Sequence, residues 1–394
     1  MTPVPRRPRR AGDLVRVLVG LVVVGHGLVH LIGVVPQAAE APIPDPGTAG
    51  RALWLVAALA VVAAGVGLVA GRRRWWYVGA PAVVVSQVAV LTTWPAAAAG
   101  TVANAVLAVA VVHGWLAEGP RSRRDRYRRH QSAVIAEAPG PAEPITEADL
   151  ALLPPLVARY LRRAGAVGRP RAAAFRAVLS GRIRSAPGAP WMAFVAEQVN
   201  TVGAHVTRWF RMDATMLGLP VDVLHVYDDG VATMSAAACS AIRVARMSGA
   251  EAGHAETVTV LNDVCVLAPW ALVGLPVDWE PVDDHRVRAR YTCGEHQVSA
   301  VLVFDDAGDL VDFVSDDRAR IDGASSERLT WSTPVGERRE LDAGRVPTVG
   351  SAWWHAQEGA YPYIEMRIHD VAAIGAGEGS GDRPGSRLSA RGRS

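Results

Sequence analysis

The chain has 394 residues, half of them hydrophobic, with 41 basic and 38 acidic side chains. That length exceeds one ordinary domain. Residues 1–130 carry 15 Arg against 5 acidic groups and the rest 26 Arg against 33, so the basic balance belongs to the first third. The acidic remainder argues against nucleic acid as a partner.

Four apolar spans fill the first 117 residues: Leu14–Val35, Ala52–Ala70, Trp75–Trp94 and Ala96–Ala117. Each is close to the ~20 residues that cross ~30 Å of hydrocarbon as a helix. Span one follows Arg6, Arg7, Arg9 and Arg10 and alone resembles a signal peptide. Its apolar run is longer than an h-region of about 7–15 residues, and three more spans follow, so a multi-pass anchor is expected. Arg72–Arg74 lie between spans two and three, and six Arg fall within Arg121–Arg129 after span four. The loop Pro36–Arg51 has one Arg, and the turn near Pro95 has none. Positive residues stay inside, so the expected location is the inner (plasma) membrane with both termini cytoplasmic. Trp75, Trp76, Tyr77 and Trp115 fall at the inner interface and Trp54 and Trp94 at the outer one, as an aromatic belt. Ser86, Gln87, Thr101 and Asn104 are polar within the spans and should face neighbouring helices.

His26 and His30 stand one turn apart on span one, where ionisable residues are functional candidates and paired imidazoles ligate haem or metal. Interhelical hydrogen bonding is the plainer use. Gly25, Gly27 and Gly33 flank them and allow a close helix approach. His113 falls near the inner face, well away from both along the membrane normal.

Residues 118–145 read as a basic juxtamembrane segment and linker, the segment Arg121–Arg129 being a topology anchor that also attracts anionic lipid. A short helix follows, with Thr146 as N-cap, and then Leu156–Ala164, stopped at Gly165. From Ala172 the period changes to two. Strands are expected at Phe175–Ser185, Trp191–Thr201, His205–Asp213 and Val221–Thr233, with turns at Pro187-Gly188, Gly203 and Asp228-Asp229-Gly230. Val258, Leu261, Val264, Cys265 and Ala268 recur at three and four, which predicts a helix over Glu251–Leu267 ended by Pro269. Strands resume at Arg286–Cys293, Gln297–Phe304, Leu310–Asp317, Ser326–Ser332, Gly336–Leu341, Arg345–His355 and Tyr363–Val371. The expectation is a four-helix transmembrane bundle followed by a soluble, mainly antiparallel β domain over 146–375, with a disordered tail over 376–394. Ten or eleven strands must close into a barrel, or curve into a half-barrel covered by helices, to bury one face. Cys239, Cys265 and Cys293 are odd in number and widely spaced, as expected of reduced, buried thiols.

The runs Leu261-Asn262-Asp263, Leu267-Ala268-Pro269, Trp279-Glu280, Asp316-Asp317-Arg318 and Trp331-Ser332-Thr333-Pro334-Val335, then Pro347-Thr348 and Trp354, resemble an uncharacterised bacterial domain family over about residues 150–372. That resemblance implies no established activity. The strand pattern also resembles the lipoprotein-carrier half-barrels, which hold acyl chains between sheet and helices.

Asp263, Glu280, Asp316 and Asp317 are the acid/base candidates. Asp316 and Asp317 point to opposite sides of a strand, so only one of them could join Asp263. The plainer reading is a strand-end ion pair with Arg318. Trp270, Trp279, Trp331 and Trp354 are candidates to line an apolar pocket. The leading expectation is a membrane-anchored, non-enzymatic β domain at the cytoplasmic face that binds an apolar or lipid-like ligand and needs no cofactor. A hydrolase using Asp263 with Asp316 or Asp317, and a haem or redox module using His26 and His30, are the alternatives.

Overall fold

The computed structural model describes residues 11–36, 45–94, 96–138, 142–322 and 325–375. The Arg6–Arg10 cluster, much of the first loop, the Pro95 turn and the tail over 376–394 lie outside the described residues.

The N-terminal region is helical: α1 (Ala11–Val29, continued by a tighter turn to Gly33), α2 (Gly47–Val69), α3 (Trp76–Thr92) and α4 (Gly100–Glu118). Among the described residues, three helices, beginning at Asp13, Gly47 and Gly100, are long and apolar enough to cross a membrane. The third expected span is shorter: α3 has 17 residues, or about 25 Å at 1.5 Å per residue.

Neighbouring helices run up and down. Arg16 at the start of α1 donates to the carbonyls of Leu68 and Val69 at the end of α2, both at 2.7 Å. The α1–α2 contact rests on glycine, as a Cβ on Gly27 would stand 2.8 Å from the Val62 nitrogen and one on Gly65 would stand 2.9 Å from that of Val24. Gly33 also meets α2, through Trp54, whereas Gly25 faces open space. Of the expected aromatic belt, Tyr77, Trp94 and Trp115 are exposed. Trp54, Trp75 and Trp76 are buried instead, because they fill the grooves that small residues leave between helices.

The expected linker begins as a helix. α5 (Arg123–Glu137) is N-capped by Ser122 and follows α4 after one turn. The short α6 (Glu147–Leu150) opens with the Thr146–Asp149 capping box, and α7 (Pro155–Arg163) ends at Gly165 with φ +73°.

The sheet domain contains β1 (Ala174–Ile183), β2 (Met192–Thr201), β3 (Thr207–Met216), β4 (Leu219–Asp228), β5 (Val231–Ala238) and β6 (Ile242–Ser248). Then come α8 (Ala250–Leu267), β7 (Val277–Pro281), β8 (Arg286–Cys293), β9 (His296–Phe304), β10 (Leu310–Ser315), β11 (Ala319–Asp322) and β12 (Ser325–Arg328). The chain closes with β13 (Thr330–Ser332), β14 (Val335–Leu341), β15 (Gly344–Ala356) and β16 (Gly359–Ile374). One antiparallel sheet runs β6-β5-β4-β3-β2-β1-β16-β15-β13-β10-β9-β8-β7, with β14 also on β15, while β11 and β12 pair separately. The last strand returns beside the first, Ala174 opposite Ile374.

More strands appear than the ten or eleven expected. Val221–Thr233 is two strands folded at Asp228-Asp229-Gly230. Ser326–Ser332 divides between the two sheets. The edge strand β6 is exposed on both faces over most of its length, so it lacks the alternation that marks a half-buried strand.

The sheet is open and curved around α8. This helix crosses the strands: Thr257 bonds Tyr227 of β4, Asp263 reaches β3 and β2, and Trp270 beyond its end packs on Phe175 of β1. Every residue from Ala255 to Leu267 is buried. At the end of the sheet near the start of α8 the two flanks meet, where the Gly230 turn packs on the Cys293–Gly294 turn. Cys265 and Cys293 are buried, but Cys239 is only half-buried, in the β5–β6 turn with φ +50°.

On the opposite, convex face lies α5. Tyr127 and Val134 pack on Val199, Leu224 and Ile374. His130 stacks on Trp209 at 4.3 Å. Arg123 pairs with Asp222, and Arg124 with both Asp213 and Glu118. Four of the six Arg of the basic segment, Arg123, Arg124, Arg128 and Arg129, are thus paired with carboxylates of this protein.

Candidate functional site

A cavity of about 730 Å³ occupies the concave face beside α8. Strand parity builds its walls. Gln198, Phe210, His225, Met234 and Met247 stand opposite one another across five strands, all pointing inward. One row further along, Met212, Val223 and Ala236 continue the wall, and beyond them Ile183 and Phe194. β16 adds Ile364, Met366 and Ile368, and the β11–β12 hairpin covers part of the rim.

The floor against α8 is charged. Arg208 of β3 donates from Nε to Asp263 at 2.6 Å, and its Nη1 is 3.5 Å from Glu256. Arg318 donates to Glu256 at 3.2 Å and lies over the rings of Trp331 and Trp354, at 4.6 and 5.3 Å. Tyr363 ties this group together, its hydroxyl accepting from Trp331 Nε1 at 3.1 Å and from Arg318. Asn262 donates to Thr333 at 2.6 Å. Two guanidinium groups thus balance two carboxylates in a low-dielectric site. Burial disfavours the Glu256 charge, but His225, Arg318 and Arg208 outweigh it and hold this carboxyl below the usual range.

His225 lies 3.6 Å from Glu256 and faces Arg208 and Arg318 as well. Burial pushes its imidazole down to about 4, against the pull of Glu256. Between that value and the ordinary ~6.5, the unfolded chain binds a proton that the folded one refuses, so the His225 contribution to stability is complete above pH ~6.5 and is lost as pH falls toward 4. Asp312, pushed up to about 6 by burial, slopes the opposite way in part of that window. The His225 effect is therefore read as a difference. Thermal unfolding of wild type should lose more stability between pH 7 and 4.5 than His225→Gln does, and equal slopes would show an imidazole that titrates freely.

Only part of the expected site gathers here. Asp263, Trp331 and Trp354 line the cavity. Trp270 is buried in the core against Phe175, and Trp279 is half-buried on the edge strand β7. Asp316 is exposed and accepts from Thr330, while Asp317 accepts from the Ser299 amide and hydroxyl. Glu280 pairs with Arg290 at the surface. Asp263 thus shares no contact with Asp316 or Asp317, and Arg318 turns away from both to reach Glu256.

Glu256, Arg208, Arg318 and His225 are absent from the expected site. A signal for the first exists: Glu256, Thr259, Asn262 and Asp263 form a polar stripe at helical spacing on this helix. For Arg208 there is none, because Arg208-Trp209-Phe210-Arg211 places an Arg and an aromatic on each face of β3.

In the helical region, His26 Nε2 lies 3.0 Å from Asn104 Oδ1, and His30 Nε2 lies 2.8 Å from the Ser86 hydroxyl, which donates to Asn104 at 2.6 Å. Gln87 bonds Thr101 and Asn104. The polar residues of the spans therefore face one another, and His113 is exposed elsewhere. Among the described residues, His205, Asp228 and Asp229 form one surface group with metal-like spacing, but His205 already pairs with Asp228 at 2.7 Å.

Residues 143–366 match the model of a family of unknown function (DUF6544). Among solved structures, the chain is similar to a DUF1329 family protein from Desulfovibrio piger, at 10% identity and a TM-score of 0.35, over 59% of this chain and 94% of that one. It is also similar to a domain named for outer membrane lipoprotein sorting, from Vibrio parahaemolyticus, at 10% identity and a TM-score of 0.29, over 54% and 88%. No curated protein matches. The expected resemblance to an uncharacterised family is thus found, and a lipoprotein-sorting domain is among the solved structures to which the chain is similar.

Proposed function

We propose that this chain, which belongs to the DUF6544 family of unknown function, is a membrane-anchored domain that binds an amphipathic, lipid-like molecule in the cavity beside α8. The observation that carries the reading is the cavity itself. Its volume of about 730 Å³ falls within the ~300–1,000 Å³ of small-molecule sites. Its strand walls are mostly aliphatic, aromatic and thioether, with one charged group at α8 and further polar side chains at Arg184 and Ser185 and along the β11–β12 hairpin. An amphiphile would set its polar end against the Arg318–Glu256 group and its apolar end along Met212, Val223 and Ala236.

The anchor is α1–α4. Leu14, Leu18, Leu21 and Val22 of α1 and Leu55, Val56 and Leu59 of α2 are exposed, as lipid-facing side chains are. The Arg-rich loop after α2 and the Arg-rich segment after α4 belong to the same end of the up-down helices. The positive-inside rule puts that end, both termini and the sheet domain on the cytoplasmic side of the inner membrane. The alternatives rest on groups with other engagements: Asp263 is held by Arg208, and His26 and His30 are held by Asn104 and Ser86.

Native mass spectrometry of the full chain released from detergent, with organic extraction of the same sample, tests the binding. A co-purified amphiphile at near one per chain is expected. A folded, monodisperse and empty chain that takes up no long-chain alcohol, fatty acid or monoacylglycerol would overturn the reading.

A further inference from the structure

The cavity runs toward one particular end of the sheet. Its deep end is α8, and Met212, Val223, Ala236, Phe194 and Ile183 lead away from it. These residues approach the β3–β4 turn (Met216–Leu219) and the β5–β6 turn (Cys239–Ile242). The same end is fastened to α4, because Arg124 bridges Glu118, the last residue of α4, to Asp213 of β3, and Arg123 reaches Asp222 of β4. Glu118 stands where α4 would leave the bilayer.

Both turns present apolar side chains there. Leu217 is 88% exposed and Ile242 68%, with Leu219 and Val244 also exposed. Arg243 and Arg246 lie beside them, exposed on β6. Of these residues, Leu217 is held at a cost in backbone energy. Leu217 has φ +50° and Gly218 φ +82°, a pair of left-handed residues that suits Asn-Gly or Gly-Gly. Cys239 and Ser240 repeat the pattern at φ +50° and +58°. A branched apolar residue fully exposed in a conformation that disfavours it has no use inside the sheet domain.

We propose that this rim, Leu217 and Leu219 with Ile242 and Val244, inserts into the cytoplasmic leaflet, so that the cavity exchanges its ligand with the bilayer. Insertion would bury the apolar tips at the headgroup–acyl boundary, and Arg243 and Arg246 would meet anionic headgroups. The inference rests on the anchored reading above, and it adds the surface that faces the membrane.

The test uses the full chain in nanodiscs of phosphatidylcholine and phosphatidylglycerol, in a Cys239→Ser background. An environment-sensitive fluorophore is attached at Leu217→Cys or, as the control at the opposite end of the sheet, at His205→Cys. Lipid nitroxides near the glycerol should quench the probe at 217 at least about twofold more than the probe at 205, as expected for insertion of about 5–10 Å. Equal quenching in a chain that remains in the nanodisc overturns the proposal. A probe at 217 that is shielded from water yet not quenched marks a second copy on this rim and also overturns it. A chain that does not enter nanodiscs at all is a failure of the anchoring reading instead. Leu217→Asp/Ile242→Asp should slow uptake of a fluorescent long-chain fatty acid from nanodiscs about tenfold while leaving its binding from micelles unchanged, the change of a barrier by ~1.4 kcal/mol. Unchanged uptake overturns the exchange route.

Discussion

Arg208→Met is expected to destabilise the sheet domain by about 3–5 kcal/mol, the usual result of leaving a buried charge without its partner. Arg208 is 7% exposed and is the near neighbour of both Asp263 and Glu256. Methionine keeps much of the stem volume and removes the charge, so the loss is electrostatic more than steric. Denaturant unfolding of the full chain in micelles, followed by Trp fluorescence, reads it. In Arg208→Met/Asp263→Leu more than half of the loss should return, because apolar groups of similar size replace a buried ion pair at little net cost. A double variant as unstable as the single one would place the effect in packing and remove the ion pair from the account of the cavity floor.

Ala236→Phe should reduce ligand binding on the order of thirtyfold, or ~2 kcal/mol, the worth of about 80 Å² of apolar contact. Ala236 sits on β5 beside Val223, facing the cavity between the charged floor and the rim. The new ring would project into existing space and not into packed core, so the unfolding midpoint should stay close to that of wild type. Titration with an apolar fluorescent probe, paired with thermal unfolding, separates the two effects. Full-affinity binding by a stable Ala236→Phe variant would show that the ligand site is not this cavity.

The two changes act on opposite ends of one space, and their contrast is informative. The floor is an ion-paired network, with Glu256 Oε2 and His225 Nε2 lacking a hydrogen bond, whose removal is felt by the fold. The wall is apolar surface whose filling is felt by the ligand. A variant that lost binding through the floor without losing stability would point to direct recognition of a polar end by Arg318 or Glu256.

Much of this protein is legible in its sequence, for reasons that are local. Helical spans are visible because lipid-length apolar runs and Arg clusters are properties of consecutive residues. α8 is visible by its three-and-four spacing, and α7 by its stop at Gly165. Most of the strands show their alternation because one face of each is buried. The exceptions have physical causes. β6 has no alternation since an edge strand here exposes both faces, and α5 is hidden because its buried Tyr127 and Val134 are outweighed by the five Arg in its own first two turns. Polar residues in the spans announced that they would meet, and Ser86, Gln87, Thr101 and Asn104 do so with the two histidines.

The site divides along the same line. Asp263, Trp331 and Trp354 were found in the sequence because they belong to distinctive runs. Arg208 and His225 were not, since nothing within a few residues of either tells which face of the sheet looks inward, and Arg318, though part of the Asp316-Asp317-Arg318 run, was expected to pair with its neighbours and not with Glu256. Only the crossing of α8 over β4, β3, β2 and β1 decides that Glu256 meets His225 and Arg318, and that Asp263 meets Arg208 and not Asp316. Composition and periodicity alone therefore determined an apolar helical region joined to an antiparallel sheet. Tertiary structure decided where that sheet encloses space and which charges line it, because pairings across 50 or more residues depend on register and curvature that no local pattern records.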